Sequence, residues 1–209
     1  MTKYLPLFPL DLVAYPGEQL NLHIFEPRYR ELLKDCLKHN TTFGIPSYVR
    51  KKVEWGTEMK ILEVVKQYPD GRADIKTNGL QVFKIVSYQN PAEGKGYAGG
   101  EVEIYPHTTE DEPSTRQRMH ELVKQLYETM ELVGTVQVSE GVQSYNIAHR
   151  IGLSKKQEYK LLQIFSEAER QQYIIDHLEH VIPILQEAER TKSIVRMNGH
   201  FRHYDPLNF

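Results

Sequence analysis

Two pairs of histidines, His177 with His180 and His200 with His203, share a spacing of three residues that can set two imidazoles on one helix face. That is half of a metal site. Zinc is held by three or four ligands in fixed geometry, and neither a Cys pair nor a His-Glu-x-x-His string supplies the remainder. The pairs therefore read as solvated or core-satisfied histidines, and no metal is expected. The single cysteine, Cys36, excludes an intrachain disulfide framework and fits a reducing compartment. Its place on an apolar helix face reads as a buried, inert thiol rather than a nucleophile. The run 90–100 (NPAEGKGYAGG) has the glycines of a phosphate cradle but not its order. A P-loop ends in Gly-Lys-Ser/Thr and opens a helix, whereas Lys95 is followed by Gly96 and then a strand. It reads as a flexible hairpin loop, and no cofactor is expected. Arg50-Lys51-Lys52 reads as a solvated loop, because a phosphate contact would need more positive charge around it.

The remaining candidates suit the holding of another polypeptide. Glu26 and Arg28 flank Pro27, and together they could present a charged pair to a bound chain. The structural alternative puts Glu26 at a favourable helix N-terminus, with Arg28 bonding a neighbouring carboxylate or carbonyl. The structural alternative is favoured, and both residues stay as site candidates. Tyr15, Tyr48 and Tyr68 lie in or beside turns, where an exposed aromatic can anchor a partner. With thirteen tyrosines in the chain, some will be exposed without a role.

The elements that must position these residues begin with the stretch 5–33, LPLFPLDLVAYPGEQLNLHIFEPRYRELL. Its first apolar segment carries prolines that cannot donate to a ladder, which predicts a strand start, edge or bulge. Tyr15-Pro16-Gly17-Glu18 is a turn. Leu20, Leu22 and Ile24 alternate with polar residues, giving a strand with one apolar face. Pro27 suits the first position of a helix, and Tyr29, Leu32, Leu33, Cys36 and Leu37 then fall on one helical stripe. Thr41 to Val49 reads as extended, with Gly44 and Pro46 limiting how deep in a sheet it can sit. Met59 to Val65, a hairpin turn at Tyr68–Arg72, and Ala73 to Thr77 form an antiparallel pair. Asn78-Gly79 reads as a second tight turn before a strand over Leu80–Tyr88, and Glu101 to Tyr105 closes the β-rich part. Short strands joined by tight turns, with one early helix, predict a small closed or half-closed β-barrel.

Residues 106–113 (PHTTEDEP) are polar and bounded by proline, and a boundary is placed there, dividing the chain into lobes over 1–112 and 113–209. Beyond it the pattern is helical. Ser114/Gln117, Ser154/Gln157 and Ser166/Glu169 have capping-box spacing. One stripe runs from Met119 to Val133 and ends at Gly134. Tyr145–Ile151 is a short helix stopped by Gly152, and a last stripe runs from Tyr173 to Leu185, with Pro183 predicting a kink or break. The tail from Asn198, with Phe201, Tyr204 and Phe209, is expected to dock on the barrel or on a second subunit. The composition is that of a water-soluble chain: 40% hydrophobic, 26% charged, net charge −2. This gives no basic field for nucleic acid. No apolar run is long enough for a membrane span and the start lacks a signal-peptide pattern, so the expected location is cytoplasmic.

The Phe-Pro-Leu, Pro-Gly and Ile-Phe-Glu-Pro-Arg-Tyr pieces of the opening stretch resemble the start of the Lon substrate-binding domain, the N-terminal domain of the ATP-dependent Lon proteases, also found as a free-standing protein. The helical half fits the same family, so the resemblance covers nearly the whole chain. It implies an α+β fold, a PUA-like barrel followed by a helical bundle lobe. No Gly-x-x-x-x-Gly-Lys-Ser/Thr string occurs, so it further implies a free-standing member without ATPase and peptidase modules, and no enzyme. The function implied is a non-catalytic polypeptide-binding module for unfolded or extended segments of other proteins, serving a protease or chaperone in proteolysis or quality control. Binding would use an apolar cleft between barrel and helical lobe, or a free barrel edge that accepts a strand. The alternative is RNA binding, since PUA-like barrels can bind RNA; the near-zero charge and the lack of a basic, aromatic-interleaved stripe stand against it.

Overall fold

The computed structural model describes residues 2–49, 52–131 and 143–200, with the backbone alone over 196–200. Six strands come first: β1 (Thr2–Leu7), β2 (Gln19–Ile24), β3 (Phe43–Val49), β4 (Lys52–Gln67), β5 (Ala73–Ile85) and β6 (Ala98–Tyr105). Helix α1 (Pro27–His39) interrupts them after β2. The sheet order is β2-β5-β4-β3-β1-β6, and β6 pairs back onto β5. Five strands therefore close a barrel, and β2 extends it along the first half of β5.

Closure places the prolines deeper in the sheet than their missing donors suggested. β1 lies between β3 and β6, with Pro6 opposite Gly99. The N–H and C=O of Gly99 bond to Gln89 instead, at 2.9 Å each, so Pro6 leaves no group of its partner waiting. β3 is likewise internal, and Pro46 sits at the register shift that separates it from Tyr48. Both segments are inner strands, Pro6 opposite a glycine bonded elsewhere and Pro46 at a break in register.

Asn78-Gly79 is not a turn. β5 runs straight through it, paired to both β2 and β4. Glycine is needed for close approach: Gly79 exchanges hydrogen bonds with the Gly17–Glu18 turn at 2.8 and 2.9 Å, and a Cβ would collide with the Tyr15 carbonyl. The hairpin turn at Tyr68–Arg72 forms as read, with Gly71 at φ +86°. β4 carries two bulges in its distal half, between Ile61 and Glu63 and between Val64 and Lys66. These turn Leu62 and Val65 to solvent and blunt the strand edge there.

The loop over 90–97 is strapped to α1 rather than loose. Lys95 Nζ and the Tyr97 hydroxyl both reach Asp35, at 2.6 and 2.8 Å, and the Gly96 N–H donates to Glu31 at 3.0 Å. Helix α1 begins at Pro27, ends at Asn40 in the left-handed conformation, and buries Tyr29, Leu32, Leu33 and Cys36 against the sheet. Leu37, assigned to the same stripe, is exposed.

The helical lobe comprises α2 (Pro113–Thr129), α3 (Ser144–Ile147) with a 3-10 turn over Ala148–Arg150, α4 (Lys155–Leu162) and α5 (Glu167–His200). α2 starts one residue before Ser114, with Pro113 leading. Its Gln117 bonds Glu121 rather than closing a capping box. It ends at Thr129, ahead of the predicted stop at Gly134, which lies outside the described residues. The box at Ser154/Gln157 is formed: the Gln157 amide oxygen accepts from the Ser154 N–H at 2.9 Å. Helix α5 continues through Pro183, so of the kink or break expected there the break does not occur. Pro183 lies on the exposed side, where water can satisfy the carbonyl one turn earlier. The aromatic part of the tail, Phe201 to Phe209, and the basic residues Arg50 and Lys51 lie outside the described residues. No helix of the described residues is long and apolar enough to cross a membrane.

One hydrophobic core runs across both lobes. Val13, Tyr15 and Val82 of the β-rich part are continuous with Met119, Leu122, Leu126, Ile151, Leu161, Ile174 and Leu178. Among the described residues the junction, where an open apolar cleft is expected, is packed with side chains. Trp55, Tyr105 and Phe165 cluster with centroids 5.0–5.9 Å apart, Tyr105 and Phe165 stacked and Trp55 tilted against both. The Trp55 N–H donates to the Tyr159 hydroxyl at 3.2 Å, and Tyr15 donates to the Glu158 carbonyl at 3.1 Å. Beneath them Arg170 and Glu167, both fully buried, pair at 2.8 Å, and Arg170 also bonds the Thr108 and Ile164 carbonyls.

Candidate functional site

The topology brings five strand ends to one mouth of the barrel. Pro9 follows β1, Tyr48 closes β3, Val53 opens β4, Tyr88 and Asn90 follow β5, and Ala98 opens β6. The N-terminal turn of α1 lies across this mouth and contributes Arg28 and Tyr29. Together they line a hollow of about 490 Å³. Its position follows from local chemistry. Pro27 starts the helix beside the mouth, and the Phe8 ring packs on Tyr29 with centroids 3.8 Å apart, fixing that end against the barrel.

The lining is aromatic and largely neutral. Tyr48 is 46% and Tyr88 38% exposed, large apolar rings that a folded chain ordinarily covers. Burial raises the pKa of both Tyr29 and Tyr88. Their hydroxyls therefore stay protonated, able to donate to a carbonyl. Arg28 is the charged residue of the lining. Its Nε and Nη2 both reach one oxygen of Glu26, at 2.8 Å, and its guanidinium lies 4.5 Å from the Tyr29 ring centroid.

Of the five residues picked from sequence, the structure brings Arg28 and Tyr48 together and ties Glu26 to the pair through Arg28. Glu26 caps α1 without a side-chain bond to the helix amides, so the structural alternative takes the form of an Arg28–Glu26 ion pair. Tyr15 is at 0% exposure and cannot meet a partner; it stacks on Tyr145 at 4.8 Å inside the junction. The turn position suggests exposure, but the turn is roofed by the helical lobe. Tyr68 stands apart at the β4–β5 hairpin tip, donating to Asp74 at 2.8 Å, with His23 edge-on at 5.9 Å. Pro9, Tyr29, Tyr88 and Asn90 join the lining without a local sequence signal. Tyr29 sits in a core stripe and Tyr88 at a strand end, and only barrel closure makes them neighbours.

Of the first histidine pair both members are described, whereas His203 and the side chain of His200 lie outside the described residues. His177 bonds the Ile151 carbonyl at 3.0 Å and the Gln157 amide at 3.3 Å, while His180 faces solvent. Among the described residues no group of three His, Cys, Asp or Glu side chains could hold a metal ion.

The model of the ATP-dependent protease La (LON) substrate-binding domain family matches residues 4–180. The chain belongs to the LON substrate-binding domain family. A solved Lon N-terminal domain protein from Xanthomonas campestris is 26% identical, with a TM-score of 0.65 over 83% of this chain and 98% of that one. The N-terminal domain of a Mycobacterium avium complex Lon protease shares the fold at 18% identity, with a TM-score of 0.61 over 85% of this chain and 98% of that one. A LON peptidase N-terminal domain and RING finger protein of Schizosaccharomyces pombe is 29% identical over 106 residues, 42% of this chain. This Lon-type chain spans 22% of the length of that relative.

Proposed function

We propose that this Lon-type chain is a non-catalytic polypeptide-binding module that holds extended, apolar segments of other proteins at the barrel mouth and delivers them to a protease or chaperone. The observation that carries the reading is the hollow itself, where exposed Tyr48 and Tyr88 converge with Arg28 at the ends of five strands. Ring faces bind apolar side chains, and tyrosine hydroxyls and Asn90 supply bonds for a bound backbone. Membership in a substrate-binding family supports the same reading. The lobe junction is packed among the described residues, which favours the hollow at the mouth over a cleft between the lobes.

The test is capture of a chemically unfolded client compared with its folded form, by the wild-type chain and by Tyr48→Ala and Tyr88→Ala. Preference for the unfolded client, weakened by either substitution, is the expected result. Equal binding to both forms, or binding indifferent to both substitutions, would overturn the proposal.

A further inference from the structure

Resting on that reading, we infer that the hollow selects a segment in which an aromatic residue is followed by a carboxylate, and that this carboxylate takes the place Glu26 holds on Arg28. The argument is one of charge complementarity. The lining of the hollow carries a cation, Arg28, and no carboxylate, so a bound segment is favoured by a negative group at that point. Glu26 does not line the hollow; it reaches Arg28 from the helix cap and occupies it with a single oxygen.

A guanidinium has five N–H donors in a planar fork, and the Glu26 contact uses Nε and one hydrogen of Nη2. Among the described residues Nη1 makes no hydrogen bond. The Arg28–Glu26 pair is also solvent-facing on both sides, and exposed pairs of this kind exchange partners at little cost. Glu26 is thus an internal competitor, filling the cation until a segment arrives that brings its own carboxylate. The ring of that segment fits the space between Tyr48, Tyr88 and Pro9, in a hollow whose volume of about 490 Å³ is within the usual ligand range.

The experiment uses the full chain and fluorescently labelled, terminally blocked peptides on one Gly-Ser frame, carrying Phe-Glu, Phe-Lys or Ala-Glu at the centre. Blocking the ends removes the terminal carboxylate as a source of the charge. Anisotropy titration should show Phe-Glu bound about tenfold more tightly than Phe-Lys, the scale of a charge-assisted bond. Arg28→Gln should abolish that preference, and Glu26→Gln should strengthen Phe-Glu binding several-fold without strengthening Phe-Lys. Both substitutions are on the surface and should leave the unfolding transition in place. Equal affinity for Phe-Glu and Phe-Lys, or a preference that survives Arg28→Gln, overturns the inference. If the two bind equally and Tyr88→Ala weakens both, the polypeptide site stands without its charge selectivity. If Tyr88→Ala weakens neither, the site falls as well.

Discussion

His149 is the residue through which pH should reach the joint between the two lobes. It lies in the 3-10 turn of the helical lobe and bridges two carboxylates. Its Nε2 is 3.3 Å from Glu18 in the turn ahead of β2, and its Nδ1 is 2.8 Å from Glu158 on α4. The bond to Glu18 chiefly, together with that to Glu158, overcomes burial and raises its pKa from 6.5 to about 9. The proton is thus held more tightly in the folded chain. The stabilisation is fully present below pH 6.5, where both states are protonated. It declines as pH rises from 6.5 and is gone above about 9. Undiminished, that shift would correspond to about 3 kcal/mol. The side chain is 37% exposed, and solvent screening brings the expected contribution to about 1 kcal/mol. The perturbation is His149→Gln, measured by urea unfolding at pH 6.0 and pH 9.5 beside the wild type. The variant should lose about 1 kcal/mol at pH 6.0, or roughly 2–4 °C in Tm for a chain of this size, and close to nothing at pH 9.5. Tyr15, which packs on the ring at 4.9 Å, does not confuse the comparison, because burial pushes its hydroxyl far above this range. An equal loss at both pH values would refute the clamp and leave only a packing role.

Arg170→Met should cost about 3–5 kcal/mol in urea unfolding, because it leaves the Glu167 carboxylate buried without its partner. Adding Glu167→Gln should return part of that loss, and a single-variant cost below about 1 kcal/mol would show that the pair is not the pin it appears by geometry. Cys36 is buried and its thiol is pushed up to about 11, so a thiol reagent at pH 8 should label it slowly in the native chain and quickly in denaturant. Rapid native labelling would mean that α1 opens away from the sheet.

The parts that depend on neighbours along the chain are legible in the residue order alone. The Pro27 helix start, the Tyr68–Arg72 hairpin, the Ser154 cap and the apolar stripes of α2 and α5 all follow from short-range periodicity and backbone chemistry. Charge, cysteine count and the unusual opening stretch set the class and family. Tertiary structure decided what depends on closure. Pro6 is tolerated inside the barrel because its partner Gly99 bonds elsewhere, and Pro46 because it sits at a register shift, facts no window of sequence contains. Tyr15 and Tyr48 follow the same local rule, each beside a turn. One is a core residue because the helical lobe covers its turn, and the other, at the barrel mouth, is left partly exposed by the described residues. The hollow is assembled from residues up to ninety positions apart, held together by strand pairing whose register is set by packing on both faces of the sheet.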